Sequence, residues 1–129
     1  MTAKQQQRMN RAVWFEIPAS DFDRACRFYE TLFSVNLRHE TMGPMRLAVF
    51  PYEAPAVGGC VIQGDGNHPG KDGSIVYLNA DPQLDAVLAR VESAGGKIVQ
   101  PRTALPEGMG FFAKIIDTEN NTVGLHAIN

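Results

Sequence analysis

Long apolar runs are missing from this chain: no stretch of its 129 residues approaches the roughly 20 apolar residues of a membrane-crossing helix. The first ten residues, MTAKQQQRMN, lack the apolar segment of a secretory signal, so they read as a flexible polar tail and the expected compartment is the cytoplasm. A positive balance is missing as well. With 12 Lys and Arg against 14 Asp and Glu, a net charge of −2 and no basic cluster, the chain has no electrostatic footprint for nucleic acid. Cysteine is scarce: Cys26 and Cys60 fit neither a disulfide framework nor a metal knuckle and read as reduced core residues. The glycine-rich stretch GDGNHPGKDG (64–73) does not make a phosphate loop either. Gly70-Lys71 is followed by Asp72 where Ser or Thr would be needed, and no strand-to-helix context surrounds it, so it reads as a connector.

What is present is a repeat. WFEIPASDFDRACRFYETLFSV (14–35) and SIVYLNADPQLDAVLARVESAGGKIV (74–99) follow one plan about sixty residues apart: a strand, a polar turn, then an amphipathic helix. Phe22, Ala25, Cys26, Tyr29, Leu32 and Phe33 form one apolar helical face, with Ser20 or Asp21 as N-cap. Leu84, Val87, Leu88, Val91 and Ala94 repeat that spacing, with Asp81 expected as N-cap, Pro82 at the first helical position and Gly95-Gly96 at the end. Strands are expected over 12–17, 37–41, 45–51 and 58–63, and again over 74–79, 97–100, 111–117 and 122–128. Asn120-Asn121 suits the last hairpin because Asn tolerates positive φ. Each half is thus a βαβββ unit, and an apolar content of 44% in 129 residues suffices for one domain. The expected division is a tail over 1–10 and a single domain over 11–129, with module 1 at about 12–63, a linker at 64–73 and module 2 at about 74–128. The expected class is α+β, two paired βαβββ modules forming a curved mixed sheet around a cavity, helices outside.

The paired modules, carrying DFDRACRFYETLF, YLNADPQLDAVLARVESAGGKI and DTENNTVGLH, resemble the glyoxalase/bleomycin-resistance/dioxygenase superfamily, the vicinal oxygen chelate proteins, over residues 12–128. That resemblance implies small-molecule chemistry or binding in the cavity: the superfamily includes metal-dependent isomerases and lyases, extradiol dioxygenases, thiol transferases and metal-free drug-binding proteins. It also implies pairing of modules within or between chains. Fold alone does not choose among these activities.

In the enzymatic members, His, Gln or Glu from the first and last strands of each module hold a divalent metal. Carried onto this sequence, the first-strand position is Trp14 in module 1 and Ile75 or Val76 in module 2. The last-strand position is Gly124 in module 2 and falls within Cys60-Val61-Ile62 in module 1. A catalytic metal site wants about three converging N, O or S donors, so no cofactor is expected and a divalent metal could sit only at a non-standard site. Strand parity places Glu16 beside Trp14, Tyr77 and Asn79 beside Ile75, and His126 beside Gly124. These five, Trp14, Glu16, Tyr77, Asn79 and His126, are the candidate ligand-binding residues, with Glu16 and His126 as the candidate acid and base. His39 and His68 read as surface residues. Trp14, Phe50, Tyr52, Phe111 and Phe112 could stack on a flat ligand, though only Trp14 has positional support, and the sequence leaves open which of Phe111 and Phe112 faces the cavity.

The favoured expectation is a metal-free small-molecule-binding protein of this superfamily. The alternative is a lyase, isomerase or dioxygenase with a relocated site built on Glu16 and His126. The partners expected are a small-molecule ligand and a second copy in a homodimer, since open sheet edges and a cavity mouth invite a cover.

Overall fold

The expected strands and helices form in the expected order, with ends moved by tertiary contacts. The computed structural model describes the backbone of residues 1–129 and the side chains of all but residues 7 and 8. After a short helix α1 (Ala3–Arg8) come β1 (Trp14–Pro18), α2 (Phe22–Phe33), β2 (Arg38–Met42), β3 (Met45–Val49) and β4 (Gly58–Gln63). The second module contributes β5 (Tyr77–Asn79), α3 (Leu84–Ala94), β6 (Lys97–Ala104), β7 (Phe111–Ile116) and β8 (Thr122–Ala127). Four strands make one mixed sheet, ordered β1-β4-β3-β2, and four make a second, ordered β5-β8-β7-β6. In each, the outermost first strand runs parallel to the last and the rest are antiparallel. The class is therefore α+β, two mixed four-stranded sheets with helices outside.

Several boundaries depart from the sequence reading; among them β1 starts at Trp14 and β5 at Tyr77, later than expected. Within the tail, Ala3–Arg8 is helical, and Thr2 and Gln5 cap each other through Thr2 Oγ1 and Gln5 Oε1. Helix α3 begins at Leu84 rather than Pro82, because Asp81 accepts the Ile128 N–H (2.9 Å) and the Asn129 carbonyl takes the Leu84 N–H (2.8 Å). Strand β6 runs through Pro101, at register shifts on the sheet's edge, where a missing N–H costs little.

The helix-facing sides of both sheets and the inner faces of α2 and α3 share one apolar core, from Ile17, Phe22, Tyr29 and Leu32 to Leu84, Val91, Ile115 and Leu125. Phe28 lies off the stripe read from the sequence, yet it is 1% exposed. The reason is tertiary: its ring packs against Gly96, the turn that follows α3, so α2 buries a second face against the other module. Each fully buried side chain of this size contributes roughly 1.5–3 kcal/mol. The two modules thus pack on one another within the chain.

The D-x-x-x-N turn between β7 and β8 fastens them. Asp117 accepts the Glu119 and Asn121 N–H groups on Oδ1 and the Asn121 Nδ2 and Tyr29 hydroxyl on Oδ2, the last at 2.6 Å. Glu119 accepts from the Ser20 and Asp21 N–H groups and from Arg24, whose Nε lies 2.7 Å from Oε2. Asn121 Nδ2 also donates to the Pro18 carbonyl, while its Oδ1 takes the Gly70 N–H and so pins the linker. Asn120 carries the positive φ of this turn, at 70°.

Candidate functional site

Alternation along the strands sends Phe15 and Ile17 into the core and leaves Trp14 and Glu16 on the opposite face of the first sheet. In the second sheet Leu78, Val123 and Leu125 are core residues, so Tyr77, Asn79, Gly124 and His126 occupy the opposite face. Register settles the β7 pair: Phe112 stands beside His126, and Phe111 beside the buried Ala127 packs on the core.

On the faces away from the helices, an aromatic stands opposite a glycine across each parallel strand pair. Trp14 on β1 is the register partner of Gly58 on β4, and Tyr77 on β5 is the register partner of Gly124 on β8. Strand β5 begins at Tyr77, so Ser74, Ile75 and Val76 precede it and line a hollow, although the Val76 carbonyl still accepts the Gly124 N–H (2.9 Å). By alternation Cys60 and Ile62 share the Gly58 face of β4, and both are buried. A tyrosine ring covers each glycine. A Cβ on Gly58 would fall 2.5 Å from the Tyr52 ring, and a Cβ on Gly124 would fall 2.2 Å from the Tyr77 ring. The space above Gly124 is thus taken by Tyr77; Trp14, 38% exposed, packs edge-on against Tyr52 at 6.1 Å. Trp14, Gly58, Tyr77 and Gly124 make no divalent-metal donor set. Among the described residues, no group of three or more His, Cys, Asp or Glu is placed to hold a metal ion.

Three of the five candidate residues line hollows, and these are two different ones. Glu16 lines one of about 460 Å³ between β1 and the segment 68–76, together with His68, Asp72, Asn121 and Thr122. His68, expected at the surface, is exposed at the rim of that hollow. Tyr77 and His126 line the other, about 280 Å³, with Leu105 and Phe112. Trp14 and Asn79 line neither; Asn79 Oδ1 is turned back onto the Asp81 N–H (2.8 Å). Glu16 and His126 thus lie in different hollows. The other expected surface histidine, His39, packs edge-on against Phe22 at 5.4 Å on the helix side.

In the smaller hollow, His126 Nε2 lies 2.7 Å from the Met109 carbonyl oxygen. Met109 belongs to the β6–β7 loop, itself closed by the bond from Leu105 N–H to Gly110 O (2.9 Å). The Tyr77 and Phe112 rings meet edge to face at 6.2 Å. Sequence reasoning missed Leu105 and Met109; no periodicity marks a loop residue that folds over a sheet.

Neither cysteine offers reactive sulfur. Burial pushes the Cys26 thiol up to about 11, and burial with the Glu16 carboxylate nearby pushes Cys60 up to about 12, the Trp14 hydrogen bond opposing weakly.

Two βαβββ modules, each a mixed four-stranded sheet with its helix outside, define the architecture. The chain belongs to the Glyoxalase/Bleomycin resistance protein/Dioxygenase superfamily, whose sequence profile matches residues 11–125. No curated protein matches it. Its fold is similar to that of a glyoxalase/bleomycin resistance protein from a Streptomyces species, with 23% identity over 89% of this chain and 98% of that one and a TM-score of 0.65. It is similar to the fosfomycin resistance protein FosX from Listeria monocytogenes, with 15% identity over 92% of this chain and 90% of that one and a TM-score of 0.66. A glyoxalase I variant from Zea mays aligns at 18% identity and a TM-score of 0.64 over 89% of this chain, which spans only 45% of the plant protein.

Proposed function

We infer that this protein is a metal-independent small-molecule-binding member of its superfamily, taking its ligand on the open face of the second sheet against Tyr77 and His126. The observation that carries this reading is that Trp14 and Gly124 stand where the superfamily places metal ligands, with Gly124 roofed by the Tyr77 ring and Trp14 opposite Gly58. The hollow at Tyr77 has the apolar walls and few polar groups typical of a binding site. A homodimer belongs to the proposal: Glu16 and His126 lie in separate hollows of one chain, and a second copy is what could bring Glu16, Trp14 or Asn79 to the ligand. Elemental analysis of protein purified without chelator or affinity tag tests the metal-free reading. The expected result is no stoichiometric Ni, Zn, Fe or Mn. Near one equivalent per chain would overturn it and favour an isomerase, lyase or dioxygenase using Glu16 and His126.

A further inference from the structure

The smaller hollow specifies more about its ligand than its volume does. A backbone carbonyl only accepts hydrogen bonds, so the 2.7 Å contact between His126 Nε2 and the Met109 oxygen requires that Nε2 carry the proton. A neutral imidazole that donates from Nε2 keeps its lone pair on Nδ1. Among the described residues, neither Nδ1 of His126 nor the hydroxyl of Tyr77 has a hydrogen-bond partner, although both residues line the hollow. The loop that supplies Met109 is held by its own bonds, Leu105 N–H to Gly110 O and Met109 N–H to Pro106 O (3.0 Å). The remaining walls are the Phe112 ring and Leu105. The site therefore offers two aromatic rings set edge to face, one fixed acceptor and one free phenol.

We propose that this hollow binds a planar aromatic molecule bearing a hydroxyl or N–H group, which rests against Phe112 and Tyr77 and donates a hydrogen bond to His126 Nδ1, the Met109 carbonyl holding the imidazole in the accepting tautomer. Gly124 is part of the same device, because only a residue without Cβ lets the Tyr77 ring lie over β8 and form the wall. His126 selects for the donor and the rings select for flatness. An ether in place of the hydroxyl leaves Nδ1 desolvated and unpaired, and such a loss is the kind that binding sites discriminate against strongly.

This inference rests on the binding reading above, and the test separates the two. Binding of 1-naphthol and of 1-methoxynaphthalene to the full chain would be measured by calorimetry, with the contact residues mapped from amide shifts. The wild type should bind the naphthol about tenfold or more tightly, equivalent to about 1.4 kcal/mol, with shifts at Tyr77, Phe112 and His126. His126→Phe should bind both compounds alike, and long-range nitrogen–proton spectra of the free wild type should show His126 protonated on Nε2. Binding in the hollow without preference for the naphthol, a preference that survives in His126→Phe, or a proton on Nδ1 would each overturn this inference and leave the binding site standing. Failure of both compounds to shift any residue of the hollow would overturn both readings.

Discussion

Glycine 124 decides more at its site than any charged residue does. Replacing it by Glu would place a Cβ 2.2 Å from the Tyr77 ring, and because Tyr77 is 46% exposed, the ring can swing outward instead of forcing the backbone apart. The expected outcome for Gly124→Glu is a folded protein, destabilised by roughly 1–2 kcal/mol, with ligand affinity in the hollow reduced at least about tenfold. Calorimetry against thermal unfolding separates the two effects. Trp14, with 38% of its surface exposed and its ring against Tyr52, should cost about 1–2 kcal/mol when changed to Ala, below the range for a buried aromatic. Chemical unfolding of Trp14→Ala, followed by circular dichroism because the only Trp is lost, checks that value.

At the scale of the element, the turn 117–121 is a clasp rather than a catalytic segment. Burial alone would raise the Glu119 carboxyl, but Arg24, the Asp21 N–H and the Thr118 hydroxyl outweigh it and bring it down to about 2. A carboxyl held below its unfolded value, about 4.3, stabilises the fold above that pH, and the contribution is lost as pH falls from there through about 2. The effect is on the order of 2 kcal/mol once screening at the half-exposed Arg24 is allowed for. Denaturant midpoints should therefore fall between about pH 5 and pH 2 in the wild type and change less over that window in Glu119→Gln. Tyr29→Phe removes the 2.6 Å bond to Asp117 and should cost roughly 1–3 kcal/mol, visible as a shift in the same midpoint.

At the scale of the whole molecule, α2 and α3 join the modules into one core, while Trp14 and Tyr77 stay 38% and 46% exposed on the opposite faces, where Leu47, Val49, Cys60 and Ile62 form a small buried cluster. Both sheets also end in outermost first strands, β1 and β5, which pair on one side only. A second copy would cover such faces, so sedimentation at micromolar concentration should give twice the 14.1 kDa chain mass. A monomer across that range would count against the homodimer.

The order of strands and helices was legible from residue spacing alone, because a half-buried strand and an amphipathic helix each write their period into the chain. The same alternation put Glu16 and Trp14 on one face and His126 and Gly124 on one face. Spacing alone could not supply register, since a slip of two residues preserves every face; only the strand pairing put Tyr77 opposite Gly124 and Trp14 opposite Gly58. Local signals also failed where a distant group competed for the same atom. Asp81 reads as a helix cap until Ile128 takes its carboxylate, Phe28 lies off the apolar stripe of its helix but is buried by the second module, and the Met109 carbonyl reaches His126 only because a loop folds back across seventeen residues of chain. Periodicity follows from each segment's own geometry, whereas the partner of a side chain depends on how the two modules close, and that was decided in the tertiary structure.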